Sequence, residues 1–292
     1  MPVAYNARVH DSPAQKAKPM KRIPQDQIQP RLLSILLAFS DFCQEQGLRY
    51  FLCGGTLLGA IRHQGFIPWD DDIDVIMPAE SYERLIAIAG EDAYFGPSRR
   101  YRILAPGQLP NIYPFIKIVD TTTLVYEKNI SHQFATGLWI DVFRLSPLPE
   151  SDEETDRLIR RQNRLKNINK ALVFGDPEDA LKPALPFVKA AAAALRVAGW
   201  SPTVCAQKIR ALEDVGNPSP NRLGNLGWPV GFKDKFDAAW YADTRDVTFE
   251  GHTLPGPVGA EAYLVQLYGD YLQLPPEKDR VRHDFDAWEI EG

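Results

Sequence analysis

GGTLLGAIRHQGFIPWDDDIDVIM, residues 54–77, joins a glycine pair, a short helical pattern and an aspartate run in which four of the five positions from Asp70 to Asp74 are acidic. Arg49 to Cys53 (RYFLC), just before it, is short, apolar and rich in aromatic residues, as a buried strand would be. This strand runs straight into Gly54-Gly55-Thr56. Two adjacent glycines let the backbone turn sharply and bring amide groups close to a ligand, and Leu57, Leu58 and Ile61 then begin a helix. A strand, a glycine turn and a helix N-terminus together suit a phosphate; a glycine pair alone is more often only a tight turn.

The second half of the stretch carries metal chemistry. Gly65-Phe66-Ile67-Pro68-Trp69 reads as a loop, and an apolar strand pattern containing the aspartates follows. Side chains on a strand alternate faces, so a strand starting near Asp72 points Asp72 and Asp74 one way and Ile73, Val75 and Met77 the other. Two carboxylates on one face repel unless one takes a proton or a cation sits between them. Mg²⁺ or Mn²⁺ suits such a pair, because these hard ions take oxygen ligands from one or two carboxylates and from substrate phosphates. Asp70 and Asp71, nearer the loop, read either as solvated carboxylates or as groups supporting the site from behind.

Two later strands carry isolated charges. In Ile112 to Val119, Lys117 interrupts Phe115, Ile116, Ile118 and Val119, so it either reaches a carboxylate or phosphate or snorkels to solvent from an edge. In Leu138 to Phe143, Asp141 sits alone among apolar neighbours. Two readings stay open for it: a site carboxylate, or a structural ion pair.

The rest of the chain frames these elements. Residues 1–24 carry four prolines and no periodicity and read as a flexible leader. Ile28, Leu32, Leu36, Phe39 and Cys43 make one stripe of an amphipathic helix that Gly47 stops. A helix follows the aspartate strand over about 79–89, and strands are expected at 101–104, 112–119, 123–126 and 138–143. Beyond Pro147 and Pro149, Ser151-Asp152-Glu153-Glu154 caps a basic helix holding Arg157, Arg160, Arg161, Arg164, Lys166 and Lys170, and further helices are expected over 184–198 and 202–215. Val247 to Leu254 has the alternation of a hairpin, 260–268 is a short helix, and His283 lies in the tail. The expected organisation is a leader (1–24), a catalytic core (25–150) and a helical and mixed portion (151–292) packed on it.

Composition narrows the function. The 292 residues are 45% hydrophobic, enough for a sizeable core. The formal net charge of -5 and the absence of a long basic block argue against nucleic acid as a partner. Cys43, Cys53 and Cys205 are scattered and odd in number, which suits buried thiols in a reducing compartment. With no secretory leader and no apolar run long enough to span a bilayer, a cytoplasmic protein with at most peripheral membrane contact is expected.

Taken together, GGTLLGAIRHQGFIPWDDDIDV (54–75), FIKIVD (115–120), IDVF (140–143) and YLVQLYGDYLQLPPEKDR (263–280) resemble the LicD family of phosphotransferases, which includes the fukutin-related proteins. The resemblance implies an α+β, nucleotidyltransferase-like fold: a mixed sheet flanked by helices. It places Gly54, Gly55 and Thr56 at the glycine turn, Asp72 and Asp74 as paired metal ligands and Asp141 as the third carboxylate. It further implies transfer of a phosphorylated alcohol, phosphocholine or a polyol phosphate, from a CDP-linked donor such as CDP-choline to a hydroxyl of a glycan, glycolipid or small acceptor. Arg62, His63 and Lys117 are then candidates for the donor's phosphates. Trp139, with Trp69, Tyr113, Trp228 and Trp240, is a candidate for an aromatic box around a quaternary ammonium. The competing readings are nucleotidyl transfer with release of pyrophosphate, and an inactive binding module of the same fold.

Overall fold

The computed structural model describes residues 20–90, 93–175, 183, 185–280, 282 and 285–290. Most of the leader, and His283, therefore lie outside the described residues. Strand β1 (Lys21–Arg22) leads into helix α1 (Ile28–Gln46), which buries Ile28, Leu32, Ile35, Leu36, Phe39 and Cys43. Each large apolar side chain so buried contributes roughly 1.5–3 kcal/mol. Gly47 ends the helix in the left-handed region at φ +61°, which a residue without a Cβ adopts at little cost.

Strand β2 (Phe51–Leu52), helix α2 (Gly54–His63), strand β3 (Asp74–Pro78) and helix α3 (Ala79–Ile88) follow in the expected order. β3 begins at Asp74, so Asp72 precedes the strand and the alternation argument does not govern it. Next come β4 (Tyr94–Phe95), β5 (Tyr101–Leu104), β6 (Ile116–Asp120), β7 (Thr123–Glu127) and β8 (Trp139–Pro149). β6 starts four residues later than the apolar pattern suggests. Asn111, fully buried, donates from Nδ2 to the carbonyls of Leu104, Ala105 and Phe115 and holds the preceding segment as a loop.

Helices α4 (Asp152–Val173), α5 (Leu185–Val197) and α6 (Pro202–Glu213) come next, with the Ser151 side chain accepting from the Glu154 backbone N–H at the start of α4. The rest comprises β9 (Pro218–Gly224), β10 (Phe236–Asp237), the hairpin β11 (Thr244–Phe249) and β12 (His252–Pro257), α7 (Ala260–Tyr268) and β13 (Phe285–Glu289). β9, which begins Pro-Ser-Pro-Asn, has no strand signature in sequence; it forms because it pairs with the far end of β8.

The main sheet runs β10-β9-β8-β6-β5-β4, with β3 also on β8 and β2 on β3. β8 is its organising strand. Its first half runs parallel to β3 and antiparallel to β6, and its second half takes β9. β1, β13 and β7 form a separate three-stranded sheet, bringing the C-terminal segment back against the N-terminal one. One apolar cluster reaches from Ile23 to Ala287, so α1, the main sheet and α7 share a core. The α+β class with a mixed sheet expected from the sequence is the observed one.

Candidate active site

Parallel pairing sets Asp74 of β3 opposite Asp141 of β8, and antiparallel pairing sets Lys117 of β6 opposite the same Asp141. Directly paired residues share a face, so three ionisable side chains from three adjacent strands stand at one level of the sheet. Lys117 Nζ lies 3.4 Å from Asp141 Oδ1. It is boxed by aromatic rings, 3.6 Å from the Trp139 centroid and 4.4 Å from that of Tyr113. Trp139 is two residues before Asp141 on β8, and therefore on the same face. Lys117 is 1% exposed, so it reaches a carboxylate from the sheet interior and does not snorkel from an edge.

The glycine turn is built against the carboxylates. Thr56 Oγ1 accepts from the Asp74 backbone N–H at 2.8 Å. A Cβ on Gly54, at φ +54°, would lie 2.9 Å from Asp74 Oδ2, and one on Gly55 would lie 2.7 Å from Asp70 Oδ2. Carboxylate oxygens thus take the space that side chains would fill. The Gly54 N–H donates to the Tyr263 hydroxyl of α7 at 2.9 Å. The start of α2, where backbone N–H groups and the helix dipole favour negative charge, accordingly faces the acidic cluster.

Crowding of like charge shows in the proton affinities. Burial holds the Asp74 carboxyl well above the ordinary range, and Asp72, Asp141 and Asp70 raise it further against the opposing pull of Lys117. Asp141 is pushed up to about 6, first by burial, which Lys117 opposes, and then by Asp72 and Glu127. Asp72 acts on both, so it belongs to the cluster even though it precedes the strand. Glu127, at the end of β7, accepts a 2.6 Å hydrogen bond from the Tyr113 hydroxyl.

Asp120 shows what a purely structural buried aspartate looks like in this fold. It is fully buried, takes both Nε and a terminal nitrogen of Arg100, and also accepts from the Thr122 amide and hydroxyl. Asp141 has the Lys117 contact, but its Oδ1 lacks a hydrogen bond of good geometry. Part of the ion-pair alternative is therefore realised, and charge remains unsatisfied beside Asp72 and Asp74.

Among the described residues, no three His, Cys, Asp or Glu side chains form a ready-made metal cage. The donor set nevertheless fits a hard divalent ion. Mg²⁺ is ordinarily held by one or two carboxylates together with substrate phosphates rather than by an all-protein cage, and mutually repelling carboxylates with an unsatisfied oxygen are the groups it stabilises.

The other candidates fall elsewhere. Arg62 and His63 sit on the last turn of α2, roughly 12 Å along its axis from Gly54. Arg62 donates from Nε to His63 Nε2 at 3.0 Å and from a terminal nitrogen to the Tyr271 carbonyl at 2.8 Å. Burial, and then the Arg62 cation, hold the His63 imidazole below its usual range. Asp71 is 4% exposed and accepts from Gln25 Nε2 at 3.5 Å, which overturns its reading as a solvated carboxylate.

Of the five aromatic candidates, Tyr113 and Trp139 converge around Lys117, and Trp228 packs edge-on against Tyr113 at 5.5 Å while also facing Lys166 at 3.8 Å. Trp69 faces Arg280 at 4.3 Å, and Trp240 packs beside Phe236. Residues of the site that the sequence reading passed over are Tyr263, Glu127 and Tyr268, whose phenol is pushed up by burial and then by Asp74. Tyr263 and Tyr268 fall in the YLVQLYGDY segment quoted above, which was the available signal; Glu127 carried none.

Residues 47–101 match the family profile described as LicD/FKTN/FKRP, nucleotidyltransferase domain, a span that contains the glycine turn and the aspartate run. The chain is 26% identical over 272 residues to the lipopolysaccharide cholinephosphotransferase LicD of Haemophilus influenzae, covering 90% of this chain and 97% of that protein. It is 45% identical over 47 residues to the human ribitol 5-phosphate transferase FKRP, which is 16% of this chain and 10% of that protein. Over 125 residues it is 30% identical to mannosyltransferase regulator 4 of Saccharomyces cerevisiae, 40% of this chain and 10% of that protein.

Proposed function

We propose that this chain, which carries a LicD-type nucleotidyltransferase domain, is a metal-dependent phosphotransferase that moves a phosphorylated alcohol from a CDP-linked donor to a hydroxyl of a glycan or glycolipid. The observation that carries the reading is the register pairing of Asp74 with Asp141, which concentrates negative charge beside the start of α2 and leaves it only partly offset by Lys117. The similarity to a cholinephosphotransferase over nine-tenths of the chain supports the reaction class, and makes phosphocholine the first head group to test.

In this reading Asp72, Asp74 and Asp141 would hold the divalent ion, which when bound offsets the charge of the donor's diphosphate and of the departing CMP. Asp74 is fixed by the Thr56 hydroxyl on its backbone and by the bare backbone of Gly54 against its carboxylate. Lys117, clamped between Trp139 and Tyr113, stands 3.4 Å from Asp141 Oδ1, the oxygen whose hydrogen-bonding capacity is unmet and which a ligand or acceptor would satisfy. Asp141, level with Asp74 on the adjacent strand, would also serve to orient the acceptor hydroxyl for in-line attack. The three buried free thiols support the cytoplasm as its compartment. No helix among the described residues is long and apolar enough to cross a membrane.

The test is product analysis. Incubation with Mg²⁺ and CDP-choline, CDP-ribitol or CDP-glycerol plus a hydroxyl acceptor is expected to release CMP, and chelation to stop it. Pyrophosphate release from CTP with no CMP from any CDP-linked donor would replace this reading by nucleotidyl transfer.

A further inference from the structure

Helix α5 turns Leu185, Val188, Ala192 and Leu195 toward the protein, and the opposite face holds Phe187, Ala190, Ala191, Ala194 and Val197, all exposed. Phe187 is 78% exposed and Val197 92%. A solvent face without a polar residue over three turns is the reverse of the ordinary surface helix, and contiguous exposed apolar surface marks an interaction site.

Charge stands beside it. Three residues beyond Val197, Trp200 lines a groove of about 840 Å³ between α4 and α6, whose floor includes Leu158, Leu165 and Leu212 and whose rim carries four cations, Arg157, Arg161, Arg164 and Lys208, against two carboxylates, Glu154 and Asp214. Arg161 and Arg164 are exposed. Arg157 pairs with the exposed Glu153 at 3.8 Å. Lys189 and Arg196 lie together on one flank of α5, and Arg196 donates to the Leu172 carbonyl of α4, tying the two helices together. This basic and apolar region stands out in a chain of net charge -5.

We propose that α5 and the adjoining α4–α6 groove form a docking surface for an anionic lipid bilayer, with the apolar face of α5 entering the acyl boundary and the arginines on the headgroup phosphates. Charge complementarity with apolar exposure selects the bilayer. A soluble polyanion would use the arginines but give the Phe187 face nothing to bury against, whereas an interfacial helix uses both.

The test is vesicle co-sedimentation of the full chain without donor or metal, so its result is independent of the transfer reaction. Vesicles of phosphatidylcholine with phosphatidylglycerol are compared with phosphatidylcholine alone, and inorganic polyphosphate is the soluble competitor. The chain should sediment with the anionic vesicles and release at high salt. Arg161→Glu with Arg164→Glu should weaken binding at least about tenfold. Phe187→Glu with Val197→Glu should abolish sedimentation while leaving polyphosphate binding intact. All four positions are exposed, and circular dichroism checks the fold; Phe187→Ser is the milder variant should the glutamates disturb α5. Absence of sedimentation with anionic vesicles at low salt, or sedimentation insensitive to the α5 substitutions, overturns the proposal. Binding of polyphosphate that is lost in parallel with vesicle binding on the arginine substitutions, with the α5 variant unaffected, reassigns the surface to a soluble polyanion.

Discussion

Asp74 and Asp141 are direct register partners on adjacent parallel strands, so two carboxylates 67 positions apart in sequence stand side by side beside the start of α2. Both hold their protons more tightly than ordinary aspartates, and Lys117 offsets only part of the repulsion. Asp74→Asn or Asp141→Asn should lower transfer on the order of 100-fold or more and remove the thermal stabilisation given by Mg²⁺ with CDP-choline. Because protons compete with the ion, that stabilisation in the unmodified protein should fade as pH drops through about 6, the value to which Asp141 is raised. Thermal shifts at pH 5 and 8 check this; equal shifts at both would sink the assignment of Asp141 as a ligand.

Lys117 is a buried cation whose partner, Asp141, is a half-buried carboxylate. Lys117→Met keeps the length of the side chain and its packing between the rings but strands Asp141, and should cost roughly 3–5 kcal/mol in urea unfolding. Adding Asp141→Asn should recover part of that loss, since the stranded charge is then gone. Additive losses in the double variant would show that the pair is not coupled.

The glycine turn should be intolerant for a reason specific to its neighbours. Gly54→Ala forces a Cβ to 2.9 Å from Asp74 Oδ2 at a positive φ, and either the carboxylate or the turn must move. The conformational cost is about 1–2 kcal/mol. Activity should fall by more than the loss of folded protein explains, measured as kcat on protein shown to be folded by circular dichroism. Full kcat in the folded variant would remove the turn from the site.

Asp234 offers a second pH test. It is 3% exposed, accepts from the Val230 N–H, and burial raises it to about 7. A folded-state affinity above the unfolded value of 3.8 means that the folded state binds more protons between those pH values, so this group's contribution to stability declines as pH rises from about 4 to about 7. Asp234→Asn should therefore gain relative to the unmodified protein by up to about 4 kcal/mol at pH 8 and little at pH 4. An unchanged difference across that range in urea melts would refute it.

How much of this was legible in sequence depended on the range of the interaction. The α1 stripe and its Gly47 stop, the Ser151 cap and the order of strand, glycine turn and helix are local patterns, and each appears as read. β9 was not legible, because two prolines hide a strand that exists through its pairing with β8. β6 began late because Asn111, distant from any apolar count, binds three carbonyls of the neighbouring loop.

The sequence by itself determined which residues are chemically suited to the site: a run of aspartates after a glycine turn, a solitary aspartate and a solitary lysine in apolar strands. Only the tertiary structure decided how they meet. Register placed Lys117 and Asp74 on either side of Asp141, close packing explained the bare glycines by the carboxylate oxygens of Asp74 and Asp70, and burial separated Asp71 from solvent. The physical reason is that charge and size are properties of single residues, whereas repulsion, desolvation and contact depend on distances fixed by strand pairing across the whole chain.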